Sequence, residues 1–189
     1  MERRAEKKTG IRTEEQTRTL VMTGLMAALG CVATLLLQVP SPTGGYLNLG
    51  DTVVLLGAYL LGPVFGAVAG GMGPAMADLL SGYAVYVPAT LVIKAAMAFL
   101  AAMLYRAAGK RGMVLWGAAA ETVMVAGYWL FDALLAFSAG GGTLAVCLAG
   151  SAAGVPGNVV QGVFGAAAST LLAMALRRSQ FVRERFPRL

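Results

Sequence analysis

Four long stretches with almost no charged residues constrain the fold of this chain most strongly. They cover residues 20–39, 88–107, 113–138 and 153–176, and an apolar helix of about 20 residues is long enough to cross a bilayer. Only 13% of the residues are charged, whereas soluble domains carry about 25%. The sequence therefore predicts an all-α integral membrane protein.

The basic residues predict which segments share one side of the membrane. Fourteen of the fifteen Lys and Arg residues fall in the N-terminal tail, one short loop and the C-terminal tail. Such segments stay in the cytoplasm, so the chain has to cross the membrane an even number of times between them. The three groups are Arg3, Arg4, Lys7, Lys8, Arg12 and Arg18; Arg106, Lys110 and Arg111; and Arg177, Arg178, Arg183, Arg185 and Arg188.

The apolar segment between Asp51 and Gly82 decides the number of helices. Its stretch LLGAYLLGPVFGAVAGG is either one span or two helices that meet at Gly62-Pro63. Proline favours the first turn of a helix and disfavours a helical residue before it, and an even number of crossings requires two helices. We therefore expect six transmembrane helices with a short second helix, both termini cytoplasmic, and Gly62-Pro63 in a cytoplasmic turn. A single span is the open alternative.

These boundaries predict one membrane domain with two charged tails. The tails are residues 1–19 and 177–189, and the six-helix domain is 20–176. The run 20–39 is longer than the core of a signal peptide and has no small-x-small cleavage site, so we interpret it as a retained span. The chain has no His and only two distant Cys, which predicts no cofactor, no metal and no disulfide.

Polar residues remain in the predicted helices, mostly in their outer halves. A buried ionisable group in a membrane costs several kcal/mol and usually faces a cavity or a partner. We therefore predict an outward-facing substrate pocket that includes two residues of the first outer loop. The predicted substrate-binding residues are Tyr46, Asn48, Asp51, Asp78, Lys94, Glu121, Tyr128, Asp132, Asn158 and Gln161.

Some of these residues also have a purely structural interpretation. Asp51 could cap the second helix by accepting free backbone N–H groups, and Asp78 could pair with Lys94 to join the third and fourth helices. Trp129 is interpreted as a residue of the membrane interface. The loop SPTGGYLNLGD contains Tyr46 and two glycines, and we expect it to close over a flat heteroaromatic ligand. The other predicted outer loops are Ser81–Val87 and Ala139–Ala152.

The first helix carries a stripe of small residues. Gly24 with Ala28, and Ala27 with Cys31, each have the small-xxx-small spacing that lets helix backbones approach closely. The stripe contacts either another protein or the helices of its own bundle, and the residues alone leave both possibilities open.

The motif NLGD…LLGP…ADLLSGY…PATLVIK, followed by GVPGNVVQGVFGA, resembles the substrate-binding S component of energy-coupling factor (ECF) vitamin transporters. The resemblance covers about residues 18–176. It implies a prokaryotic plasma-membrane protein that captures a vitamin from outside and associates with a transmembrane coupling protein and two cytoplasmic ATPases. It also implies that the stripe of Gly24, Ala27, Ala28 and Cys31 contacts the coupling protein. The implied ligand is a pyrimidine or pyridine vitamin, such as hydroxymethylpyrimidine or vitamin B6, or riboflavin.

Two other function classes fit the sequence less well. A free-standing secondary transporter usually has inverted repeats and broken helices, and no convincing repeat is present. An intramembrane aspartyl protease needs a GxGD motif, whose first glycine NLGD lacks. The chain has no GxxxxGK[ST] loop, so ATP use requires a partner. We expect neither enzymatic activity nor a nucleic-acid partner.

Overall fold

The structure is a computed structural model that describes residues 2–186, without the side chains of residues 2–13, 110, 181 and 185. It is mostly helical, and 3-10 turns at Lys110–Gly112 and Ala152–Gly154 join some of the helices. A two-residue antiparallel ribbon pairs β1 (Val39–Pro40) with β2 (Tyr46–Leu47). The helices within the described residues are α1 (Glu2–Leu36), α2 (Gly50–Leu61), α3 (Pro63–Leu80), α4 (Val87–Ala108), α5 (Met113–Ser138), α6 (Leu144–Ser151), α7 (Val155–Leu176) and α8 (Gln180–Arg185).

Four helical segments of the described chain are long and apolar enough to cross a membrane. They are Glu14–Leu36, Val87–Ala108, Met113–Ser138 and Leu144–Leu176. The helix α2 is apolar but has only 12 residues, in agreement with the prediction of a short second helix. At 1.5 Å per residue it extends over roughly 18 Å, and α3 continues the path back through the bundle.

The break between α2 and α3 lies where the sequence predicts it. The first helix ends at Leu61 and the second begins at Pro63, so the interpretation as one continuous helix is wrong. Gly62 has a φ of 84°, a conformation that costs glycine little because it lacks a Cβ. Any side chain at this position would also collide with the guanidinium of Arg106.

The three basic segments meet at one end of the bundle. Arg106 lies against the α2–α3 turn, and Arg177 donates a hydrogen bond to the Tyr105 hydroxyl over 2.9 Å. The guanidinium of Arg18 lies 5.6 Å from the centre of the Phe186 ring. This common end is what the charge pattern requires, and its cytoplasmic orientation stays a prediction.

The termini and the last outer loop contain more helix than we expect from the sequence. The helix α1 begins at Glu2, so most of the predicted tail 1–19 continues the first span as helix. The predicted outer loop Ala139–Ala152 contains a short helix, α6, that the sequence did not indicate. The Thr143 side chain accepts a hydrogen bond from the Val146 N–H at the start of α6, which is a standard helix cap.

Small residues allow the helices to approach one another closely. A Cβ at Gly73 of α3 would collide with the Ala27 carbonyl of α1, and Gly71 lies equally close to the Leu91 carbonyl of α4. Tyr59 and Met97 are almost completely buried in the core. The bundle is therefore held together by close packing, which is the main source of helix association in lipid.

Candidate functional site

A polar cavity lies at the end of the bundle opposite the basic segments. The first loop and its ribbon cover it, and α1, α3, α4, α5 and α7 supply its walls and floor. Its volume is about 30 Å³, which is room for roughly two water molecules. The lining residues are Thr34, Ser41, Thr43, Gly45, Tyr46, Asn48, Pro74, Asp78, Tyr86, Thr90, Tyr128, Asp132, Asn158 and Gln161.

The covering loop is attached to α3 by Tyr46. The Tyr46 hydroxyl donates a hydrogen bond to Asp78 Oδ1 over 2.5 Å, and its ring lies 4.6 Å from the Tyr83 ring. Burial raises the pKa of Tyr46 above its ordinary value, and the hydrogen bond to Asp78 raises that pKa further. Tyr46 therefore stays protonated at neutral pH and remains a donor to the carboxylate.

A second tyrosine and a second acid form a similar contact on the other side. The Tyr86 hydroxyl donates to Asp132 Oδ1 over 2.9 Å, and Thr43 offers its backbone carbonyl to the same hydroxyl at 3.3 Å. Burial raises the pKa of Tyr86, and the charge of Asp132 adds to the effect. Tyr86 thus connects the loop before α4 to both α5 and the covering loop.

The floor of the cavity is supported by a network around Asp51. Lys94 of α4 forms an ion pair with Asp51 Oδ1. Gln161 Nε2 donates to Asp51 Oδ2 over 2.5 Å, and Gln161 Oε1 accepts the backbone N–H of Asn48 at 2.7 Å. Gln161 therefore ties the covering loop to a buried ion pair.

Two structural predictions about these residues are wrong. Lys94 pairs with Asp51 and not with Asp78, because Asp78 is already bound by Tyr46 at the level of the loop. Asp51 does not cap α2, since the start of this helix has no such side-chain bond. Instead, Asn48 Oδ1 accepts the Gly50 N–H at 2.8 Å. Asp51 is also buried, being 1% exposed, and does not lie at the outer surface.

Asn158 offers an unused amide to the cavity. Asn158 is 9% exposed and lines the cavity. Its side chain forms no hydrogen bond with the described residues. Asp78 Oδ2 and Thr34 Oγ1 are also buried without a hydrogen-bond partner among those residues. Buried polar groups are nearly always hydrogen-bonded, so these atoms are suited to receive a ligand.

The structure brings seven of the ten predicted substrate-binding residues to the cavity wall: Tyr46, Asn48, Asp78, Tyr128, Asp132, Asn158 and Gln161. The other three, Asp51, Lys94 and Glu121, lie behind it. The Lys94 ammonium lies 5.5 Å from the centre of the Tyr128 ring, and the Tyr128 hydroxyl donates to Thr90 Oγ1 over 2.9 Å. That tyrosine therefore separates the lysine from the cavity.

Glu121 lies beside the Asp51 network: the Asp51 Cβ and Glu121 Oε1 lie 2.8 and 2.9 Å from a Cβ built on Gly165. Both carboxyl oxygens of Glu121 are buried without a hydrogen-bond partner among the described residues, close to Gly162 and Gly165 of α7. It lines an apolar groove of about 270 Å³ between α5 and α7. Trp129 lines the same groove, and its indole N–H donates to the Leu148 carbonyl over 2.9 Å. Glu121 and Trp129 are thus both outside the polar cavity.

The small residues of α1 divide between two faces. Ala27 and Cys31 lie against Gly73 of α3, whereas no atom lies within 4 Å of a Cβ built on Gly24. Ala28 is also exposed. Gly24 and Ala28 are therefore the most available to a partner, whereas Ala27 and Cys31 are half-buried against α3.

Several lining residues were not predicted from the sequence. Thr34, Thr43, Thr90 and Tyr86 line the cavity. Thr34 and Thr90 resemble ordinary residues of apolar helices, and Thr43 lies in the covering loop. Tyr86 lies beside Tyr83, and only its contact with Asp132 distinguishes it from an interfacial aromatic residue.

Two solved membrane transport proteins have a similar fold. The fold is similar to that of the S component of a bacterial ECF transporter, with a TM-score of 0.66 at 19% identity over 86% of this chain and 97% of that one. It is also similar to the S component for biotin of an ECF-type ABC transporter, with a TM-score of 0.55 at 16% identity over 85% and 93% of the two chains.

The sequence assigns the chain to a particular family within this class. The sequence model of the ECF-type riboflavin transporter S components matches residues 14–178, and the chain belongs to this family. An uncharacterized protein of Pyrococcus woesei is 39% identical over 99 residues, which are 51% of this chain and 66%, just under two thirds, of that relative. The predicted family is thus confirmed, and its members are transporter components and not enzymes.

Proposed function

We propose that the chain captures a small water-soluble vitamin from outside the cell and presents it to an ATP-driven import complex. The polar cavity supports this proposal most directly, because it has an unused amide and unpartnered carboxylate and hydroxyl oxygens beneath a loop. The proposed ligands are riboflavin or a pyrimidine or pyridine vitamin such as hydroxymethylpyrimidine or vitamin B6.

The proposed ligand requires the covering loop to move. Pockets for small molecules have volumes of about 300–1,000 Å³, whereas this cavity has about 30 Å³. The loop is held by a few side-chain contacts, chiefly those of Tyr46 with Asp78, Gln161 with Asn48 and Gln38 with Ser81. We expect these contacts to open on entry and a subset of them to close again around the ligand.

The import step requires partners that supply ATP hydrolysis. We propose a transmembrane coupling protein that contacts the Gly24–Ala28 face of α1, together with two cytoplasmic ATPases. The large side chains around this face, including Val21 and Leu25, are exposed, as suits a surface that faces lipid or another helix.

Ligand binding and energy coupling are tested separately. Calorimetric titration of the purified chain with riboflavin, pyridoxine and hydroxymethylpyrimidine should give saturable binding of one of them with 1:1 stoichiometry. Affinity purification from native membranes should recover ATPase subunits. A free-standing secondary transporter would instead support uptake in vesicles that contain this chain alone and a proton or sodium gradient.

A further inference from the structure

The charges around the polar cavity suggest the chemistry of the ligand, an inference that rests on the proposed function. Asp78 and Asp132 line the cavity, and its lining includes no Lys or Arg. The nearest cation among the described side chains is Lys94, which the Tyr128 ring separates from the cavity and which is paired with Asp51. The cavity therefore presents two carboxyl groups without a balancing positive charge.

The hydrogen-bonding atoms of the two acids also favour a ligand that donates hydrogen bonds. One oxygen of Asp78 accepts the Tyr46 hydroxyl, and the other has no hydrogen-bond partner among the described residues. One oxygen of Asp132 accepts the Tyr86 hydroxyl. Each acid thus has capacity for a further donor, because an ionised carboxyl group accepts about four hydrogen bonds. The free amide of Asn158 supplies a directional partner in the same wall.

We infer that the substrate is a flat heterocycle that presents an N–H-bearing nitrogen group to Asp78 and Asp132, and that the cavity rejects phosphorylated vitamins. Hydrogen bonds from a positively charged donor to a carboxylate are roughly twice as strong as neutral ones. A phosphate group carries about −1.5 to −2 charges at neutral pH, and its oxygens would meet two acids that already act as acceptors towards Tyr46 and Tyr86. The rings of Tyr46, Tyr86 and Tyr128 are placed to stack on such a ligand or to contact a cation.

The test uses matched ligands that differ in one group. Pyridoxamine and pyridoxine differ only by an amino group in place of a hydroxyl, and pyridoxamine phosphate adds the phosphate. Hydroxymethylpyrimidine is paired with the analogue in which a methyl group replaces its ring amino group. Whichever pair binds, calorimetric titration of the purified chain should show that its amino member binds at least tenfold more tightly than the other member. The phosphorylated ligand should bind at least about a hundredfold more weakly than pyridoxamine.

Variants locate the selectivity in the cavity. Asp78→Asn keeps an acceptor for the Tyr46 hydroxyl but removes the charge, and Asp132→Asn does the same for Tyr86. Each should lower the preference for the amino ligand about tenfold and weaken the discrimination against phosphate. Glu14→Gln is the matched control, because this exposed acid lies on α1 and is not part of the cavity lining. It should leave the preference unchanged.

The outcomes separate this inference from the proposed function. Equal binding of the two members of a pair, tight binding of the phosphorylated ligand, or an equal effect of Glu14→Gln contradicts the inference. Saturable binding of riboflavin without any amino preference contradicts the inference but supports the proposed function. Failure of riboflavin and of every ligand in the panel to bind contradicts both. The ligand ratios of the unmodified chain decide the matter even where a variant fails to fold.

Discussion

Lys94 of α4 and Asp51 of α2 form an ion pair that is almost fully withdrawn from solvent. Lys94 is 0% exposed and Asp51 is 1% exposed. Gln161 bonds the second oxygen of Asp51 and also the backbone N–H of Asn48. The loop that covers the cavity is thus anchored on a buried charge pair that itself makes no contact with the cavity.

Loss of one partner of this ion pair should strongly lower the stability of the protein. Removing one member of a buried pair leaves an uncompensated charge and costs about 3–5 kcal/mol. We expect Lys94→Met to lower the free energy of unfolding by this amount, as measured by thermal and denaturant unfolding in detergent. The double variant Asp51→Asn with Lys94→Met should recover most of the loss, because no unpaired charge remains. A single variant as stable as the unmodified chain would show that Lys94 does not compensate Asp51.

Asn158 and Gln161 should differ in what their removal affects. The Asn158 amide has no partner among the described residues. Asn158→Ala should therefore weaken vitamin binding about tenfold to a hundredfold, because a lost hydrogen bond in a buried site costs about 1–3 kcal/mol. The unfolding temperature of this variant should not change. Gln161→Ala strands both Asp51 and Asn48, so it should lower affinity and the unfolding temperature together. Calorimetric titration and thermal unfolding of the two variants measure this difference.

Trp129→Phe is the control for the binding variants. Its indole joins α5 to α6 through Leu148 and does not line the cavity. Its loss should leave the affinity almost unchanged. Normal binding by Asn158→Ala together with weakened binding by Trp129→Phe would place the ligand in the apolar groove instead.

The exposed face of α1 should affect import without affecting binding. Bulky replacements such as Gly24→Leu or Ala28→Trp would hold a partner helix away from α1, but they lie far from the cavity lining. We expect uptake by the assembled transporter to be abolished, with unchanged affinity of the isolated chain. Ala27→Leu is the matched control, because Ala27 lies against Gly73 and its enlargement should lower stability. Normal uptake by Ala28→Trp would exclude this face as the contact.

The orientation of the bundle is tested by cysteine labelling. In a chain that lacks its two native cysteines, Arg111→Cys should react with a membrane-impermeant maleimide only after the cells are opened. Ala139→Cys should react in intact cells. Val64→Cys should behave like Arg111→Cys, because Val64 is exposed and directly follows the α2–α3 turn. Labelling of Val64→Cys from outside would overturn the orientation inferred from the positive charges.

Hydropathy and charge were sufficient to predict the main helices and the break at Gly62-Pro63. These features follow from local rules, because proline restricts the backbone and basic residues remain on one side of the membrane. The depth of polar residues in their helices, together with the first outer loop, identified seven of the fourteen residues that line the cavity. The depth of a residue along its helix follows directly from its position in the sequence.

The pairing of the charges could not be predicted in the same way. Asp51, Asp78 and Lys94 lie on three different helices, and their rotation about the helix axes depends on close contacts at small residues such as Gly165. Gln161 was correctly placed at the cavity, but its bonds to Asp51 and Asn48 depend on how the covering loop folds back. The ribbon and α6 were missed because two-residue strands and an eight-residue helix leave little pattern in the sequence.

Native mass spectrometry tests the central claim most directly. The purified chain and Asn158→Ala are incubated with an equimolar mixture of riboflavin, pyridoxine, pyridoxamine and hydroxymethylpyrimidine and are then released from detergent in the spectrometer. We predict a single vitamin bound to each molecule of the unmodified chain and strongly reduced occupancy in Asn158→Ala. The absence of any adduct on the unmodified chain, or an undiminished adduct on Asn158→Ala, would contradict the claim that this cavity captures a vitamin.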